Sequence, residues 1–209
     1  MSDEITSMTE TERKYDVPED AGPPEVAGFA VRRPEHPDVL DAVYFDTEDA
    51  ALAARRIVLR RRTGGHDEGW HVKTPAEEGR TEYHAPLSDT VPQALLDLVA
   101  EHLGDRELTP IAEIRTERWP FIVLDEDGRE VAELADDRVA GTDVRSGTVR
   151  TWREWEVELI DGAPTDPERR RALLDRLEAV VLAEGAVPSA AVSKFARATG
   201  RLTLGSEGQ

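Results

Sequence analysis

Glu10, Glu12 and Lys14 stand two residues apart in the segment Glu10-Thr11-Glu12-Arg13-Lys14-Tyr15, and Glu154, Glu156 and Glu158 repeat that spacing between Trp152 and Leu159. A strand sends successive side chains to opposite faces, so this spacing gathers ionic groups on one face. Arg80, Glu82 and His84 alternate likewise against Thr81, Tyr83 and Ala85. With no cysteine in the chain, a metal would have to be held by carboxylates or by the five histidines. Oxygen-rich donors of that kind favour a hard ion such as Mg²⁺ or Mn²⁺ over zinc.

The cations carry a second signal. Of 26 basic residues only Lys14, Lys73 and Lys194 are lysines, leaving 23 arginines. Lysine offers a compact, strongly hydrated ammonium with three donors, and arginine a planar fork, so a site that needs the first does not freely accept the second. Lys14 and Lys73 fall on strand-like segments beside other charges, where accidental survivors would be scattered over helices and loops.

Stepping from these residues to their carriers, Val39 to Asp46 reads as a strand, followed by a short helix from Glu48 to about Arg55 with Thr47 as its N-cap. Residues 57 to 74 read as a hairpin around the turn-rich stretch 63 to 69, and Arg80 to Ala85 as a further strand. Leu95, Leu96, Val99 and Leu103 lie at helical spacing between Pro92 and Gly104, which predicts an amphipathic helix. Ile111 to Leu124 and Arg129 to Asp136 flank a hairpin turn at 125 to 128. Thr165 and Glu168 form a capping box for a helix near 167 to 184, which Gly185 would end. The segment 187 to 197 reads as a short helical turn packed back on the body.

In a half-exposed antiparallel sheet, charges normally face water, and that explains any one of these strands. It explains poorly why many strands carry apolar residues on one side and sign-mixed charges on the other. A closed barrel resolves the pattern if helices cover its outside and its interior is polar and water-filled.

The motifs carry a resemblance. Glu10-x-Glu12-x-Lys14 resembles the ExExK signature that opens the CYTH domain of the triphosphate tunnel metalloenzymes. Tyr44-Phe45-Asp46-Thr47, Leu59-Arg60-Arg61-Arg62 and Trp70-His71-Val72-Lys73-Thr74 resemble the family's YFDT, LRxR and W-x-x-K-T segments. Glu133 to Asp137, Glu154-x-Glu156-x-Glu158 and Ser193-Lys194-x-x-Arg197 resemble its later elements in the same order, so the likeness runs from about residue 8 to 200, and all three lysines lie inside it. The resemblance implies an α+β, mainly β fold: an antiparallel barrel of about eight strands with helices packed outside. It also implies that Glu10, Glu12, Glu156 and Glu158 face the metal, with Glu154 and Asp137 as neighbours. Lys14, Arg60, Arg62, Lys73, Arg115, Arg118 and Lys194 would grip phosphate oxygens, and Arg80 and Glu82 would line the tunnel. Glu156 is the candidate for activating the attacking water, beside Lys14. Arg115 and Arg118 have opposite parity, so either a bulge separates them or only one is a ligand. The family's aspartate matches Asp136 or Asp137, and Asp137 shares parity with Glu133.

The implied activity is metal-dependent hydrolysis of inorganic triphosphate or a related polyphosphate. A class IV adenylate cyclase, a thiamine triphosphatase acting on a substrate with an organic group, and a non-catalytic polyphosphate-binding module are the alternatives. A nucleoside triphosphate is a further candidate substrate. At 209 residues the chain suits one domain, 1–209, with disordered ends, acting as a monomer or homodimer. A net charge of −18 argues against nucleic acid as partner. No window approaches the roughly 18 apolar residues of a membrane span and no secretory signal opens the chain, so the expected location is cytoplasmic.

Overall fold

A computed structural model describes residues 5–76 and 79–200, and for Glu10 the backbone alone. The disorder expected at the two ends falls outside these residues, apart from the first few positions of β1. In chain order the strands are β1 (Thr6–Glu10), β2 (Glu12–Asp16), β3 (Ala30–Arg32), β4 (Asp38–Asp46), β5 (Val58–Thr63), β6 (Gly69–Pro75), β7 (Arg80–Ala85), β8 (Thr109–Leu124), β9 (Glu130–Asp143), β10 (Thr148–Leu159) and β11 (Val187–Pro188). The helices are α1 (Gln93–Leu103), α2 (Pro167–Ala183) and α3 (Lys194–Ala198). Among the described residues no helix is long and apolar enough to cross a membrane.

All strands join one antiparallel ladder in the order β1-β7-β6-β5-β4-β8-β9-β10-β2-β11, with β3 on the flank of β8. Two expectations need correction: the described residues form eleven strands rather than eight, and among them the ladder does not close on itself. The segment read as one opening strand breaks at Thr11. Its first half pairs with β7 and its second with β10, so the strand at one end of the ladder and the next-to-last strand at the other are covalent neighbours. The sheet is strongly curled. β6 and β10 are five steps apart on the ladder, about 24 Å if flat, yet Lys73, Glu156 and Glu158 line one cavity.

Side-chain alternation gives the curl two unlike faces. On the outer face Tyr15, Phe121, Leu134, Trp155 and Val157 pack against Leu174, Leu177 and Val181 of α2. Leu59, Trp70 and Val72 likewise meet Leu95, Val99 and Leu103 of α1. The inner face is apolar only at one end, where Ala42, Tyr44, Ile114, Val139 and Trp152 form a floor under Phe195 and Ala198 of α3. Phe195 stacks on Tyr44 with ring centroids 5.8 Å apart.

The local caps differ in two places from the sequence expectation. The turn after β4 holds only a 3-10 helix, Ala53–Arg55, because the buried Asp46 carboxylate accepts from Leu52 N and Ala53 N, both at 2.9 Å. Its N-cap is Leu52 rather than Thr47, whose hydroxyl instead accepts from Ala51 N in the turn before it. At α2 the N-cap is Asp166, which accepts from Arg169 N at 2.9 Å, rather than Thr165.

Candidate active site

Beyond the apolar floor the inner face becomes ionic. A cavity of ≈ 100 Å³ lies there, and among the described residues its lining brings Lys14, Arg60, Arg62, Lys73, Arg80, Arg118 and Lys194 against Glu12, Asp67, Glu156 and Glu158. Seven cations thus meet four carboxylates inside a protein whose net charge is −18. The cavity shares Leu40, Arg62, Asp67, Arg118 and Glu158 with a wider chamber of ≈ 520 Å³, which also touches His66, His71 and Glu133.

The alternation of β10 puts Glu154, Glu156 and Glu158 on this face, while Arg153 points outward to pair with the buried Asp136 at 2.7 Å. That pair sends Asp136 outward and leaves its neighbour Asp137 facing inward, wholly buried. Arg118 grips Asp137 with two bonds of 2.8 and 2.7 Å and donates to Glu156 at 2.6 Å, and its other nitrogen lies 3.5 Å from Glu133. Lys194, set at the start of α3 beside the capping Ser193, donates to Glu156 at 2.6 Å and forms ion pairs with Asp137 at 2.8 Å and Glu154 at 2.6 Å. Lys14 bonds Glu12 at 2.9 Å and also donates to Glu156.

Arg115 is the residue that the structure turns away. β8 keeps a regular register from Ala112 to Val123, so no bulge reconciles the two arginines. Arg118 faces in, and Arg115 lies on the outer surface, 63% exposed, paired with Asp41. Glu10 sits opposite Arg80 on β1, and its side chain lies outside the described residues.

The electrostatics divide the carboxylates into two groups. Burial alone would raise Glu156, but Lys14, Lys194 and Arg118 hold it well below the usual carboxylate range. A carboxylate clamped by three cations is a poor base, and Glu156 here contacts Lys14, Arg118 and Lys194 at once. Asp137 is lowered for the same reason, by Arg118 and Lys194 against its burial. Asp137, Glu154 and Glu156 are close enough to share a metal ion, but the Lys194 ammonium already sits among them. Glu158 behaves in the opposite way: burial and then the charge of Glu12, directly opposite on β2, push it up to about 7. Two crowded carboxylates whose repulsion lifts a pKa are what a divalent cation relieves, so Glu12 and Glu158 fit an oxygen-ligated Mg²⁺ or Mn²⁺.

Arg62 is pulled down to about 9 by burial and by Arg60 and Arg118, which marks a spot of excess positive potential suited to an anion. Arg60 and Lys73 approach the Glu82 carboxylate at 3.3 and 3.5 Å. His71 and Glu133 join the site without a role expected from the sequence. Both carried the parity signal, since His71 shares the face of Lys73 on β6 and Glu133 that of Asp137 on β9.

The CYTH domain family matches residues 8–185. Two uncharacterized proteins, one from each of two Mycobacterium tuberculosis strains, are each 42% identical over 213 aligned positions. The alignments cover 94% of this chain and 41% of those proteins, so the chain spans less than half of their length. Among solved structures, a candidate adenylate cyclase from Bacillus halodurans superposes with a TM-score of 0.62 at 19% identity, covering 91% of this chain and 97% of that one. At that identity the likeness concerns the fold.

Proposed function

The chain belongs to the CYTH family, which includes triphosphatases and adenylate cyclases, and on that premise we propose that it hydrolyses inorganic triphosphate or a closely related triphosphate inside the curled sheet. The observation that carries the proposal is the seven cations from β2, β5, β6, β7, β8 and α3 that line the cavity, more than the four carboxylates among its described lining residues, in a strongly acidic chain. Such a lining suits a compact polyanion. The curl serves as the wall of a tunnel, closed at one end by α3 on its apolar floor and entered from the wider chamber.

In this reading Lys14, Arg60, Arg62, Lys73, Arg80, Arg118 and Lys194 surround the phosphate oxygens and neutralise charge as it develops. Glu154, Glu156 and Asp137 hold Lys14, Lys194 and Arg118 in place, so the cations are preorganised before substrate arrives. Glu12 and Glu158, with Glu10 by its strand position, hold Mg²⁺ or Mn²⁺. Bound there, such an ion would supply positive charge toward the phosphate oxygens that the side chains cannot. Glu82 steadies Arg60 and Lys73 from behind.

The test is a panel measuring phosphate and pyrophosphate release from inorganic triphosphate, thiamine triphosphate and ATP, with Mg²⁺, Mn²⁺ or excess chelator. Phosphate release from triphosphate that stops with chelator is expected. Pyrophosphate release from ATP alone would instead identify a cyclase, and no release from any substrate by folded protein would leave a binding module.

A further inference from the structure

His71 is 1% exposed, and each of its ring nitrogens meets an oxygen that leads to the cavity lining. Nδ1 lies 2.8 Å from Glu82 Oε1, and that same oxygen is approached by Arg60 at 3.3 Å and Lys73 at 3.5 Å. Nε2 lies 3.0 Å from the main-chain oxygen of Asp67, which also accepts from Arg62 at 3.4 Å, while the Asp67 carboxylate pairs with Arg62. The His84 ring packs at 4.9 Å and restricts rotation of the imidazole. Among the described residues, the charged groups that act on His71 are Glu82, Arg60 and Arg62, two of them cavity cations and the third a group that holds one.

We propose that His71 is a positioning residue which, through Glu82 on one side and Asp67 on the other, sets Arg60, Lys73 and Arg62 for the phosphate chain. The proposal rests on the triphosphate reading of the cavity. A buried histidine that merely satisfies its own hydrogen bonds would end on groups that hold no cavity cation. Here both arms end on cations, two through Glu82 and one through Asp67. Burial, with the charges of Arg60 and Arg62, pushes the ring down to about 3, so it is neutral and carries a single N–H. A neutral ring donates to one oxygen at a time. Substitutions that mimic one ring nitrogen therefore separate the arms: asparagine places a donor near the Nδ1 position, and glutamine near Nε2.

The experiment is calorimetric titration of inorganic triphosphate, in the presence of Mg²⁺, into wild type, His71→Asn, His71→Gln and His71→Phe, with urea unfolding of each. Loss of a partner one shell behind a ligand weakens binding roughly tenfold to a hundredfold. That loss is expected for His71→Phe, with a smaller loss for each of the other two and no proportionality to their stabilities. If His71→Phe does not fold, the Asn and Gln variants decide, and wild-type affinity in both overturns the proposal. Should wild type itself bind no triphosphate, the functional reading fails, and the question passes to ligand-free ¹⁵N NMR of the arginine side chains. Slower exchange of the Arg60 and Arg62 N–H groups in wild type than in the variants would support the positioning role, and equal exchange would refute it.

Discussion

Replacing Lys194 with arginine keeps the charge and changes only its shape. The ammonium donates to Glu156 at 2.6 Å and lies 2.8 Å from Asp137 and 2.6 Å from Glu154, so three carboxylates crowd one compact charge. A guanidinium holds its donors in one plane on a longer stem, and this side chain is only 11% exposed, with little room to draw back. Asp137 would keep its two bonds from Arg118, and Glu154 its bond from the Trp152 indole. At least one charge-assisted contact is nevertheless lost, which costs about 1.5 to 3 kcal/mol. For a chain of this length each kcal/mol moves the melting temperature by roughly 2 to 4 °C, so Lys194→Arg is expected to melt about 3 to 12 °C below wild type. The same misplacement should lower kcat/KM for triphosphate roughly tenfold to a hundredfold. Thermal and urea unfolding, with steady-state phosphate release, measure both, and Arg106→Lys in the surface pair with Asp49 serves as control. Wild-type stability together with wild-type kinetics in Lys194→Arg would refute the idea that the site needs an ammonium there.

Glu158, raised from its usual 4.5 to about 7, keeps a proton in the folded state that the unfolded chain has released, so metal-free stability should fall as pH rises from about 5 to about 8, by at most about 3 kcal/mol. Melts in chelator should show that slope, and Glu158→Gln or added Mg²⁺ should flatten it; a flat wild-type profile in chelator would contradict the crowding of Glu12 and Glu158. Arg115→Ala removes an exposed pair with Asp41, so it should cost less than about 1 kcal/mol and leave hydrolysis unchanged; a tenfold loss of activity would return Arg115 to the site. Phe195→Ala opens a cavity between α3 and Tyr44 and should cost about 3 to 5 kcal/mol in urea unfolding while weakening triphosphate affinity, because Lys194 rides on the same helix; full affinity would separate the two.

Period-two alternation made much of the site legible. It put Glu154, Glu156 and Glu158 on one face and opposed Arg115 to Arg118, because parity along a strand is a local property. Partnership is not local. Nothing in the spacing says that Lys194 enters among Asp137, Glu154 and Glu156, since that depends on how a five-residue helix packs against β9 and β10. The same holds for β9, expected to stop at Asp136 but running to Asp143. Gly141 lies inside that extension and has no side chain to favour a strand. Its reason is tertiary, because a Cβ there would come within 2.7 Å of Ala198 and 3.1 Å of Trp152. His71 was visible by parity and lacked only the knowledge that Glu82 and Asp67 would flank it.

The break at Thr11 bears on the order of folding. Because β2 pairs with β10, Lys14 meets Glu156 across 142 residues of chain. The hairpins β5–β6 and β8–β9 close short loops and can form early, whereas the β2–β10 seam must wait for a long loop to close against its entropy. The ion cluster is therefore among the last structure to form. Contacts absent from the transition state govern the unfolding rate, so Lys14→Met should steepen loss of the native state while leaving the refolding rate near that of wild type. In a chevron plot the change would fall on the unfolding limb, and a slowed refolding limb would show instead that the seam closes early.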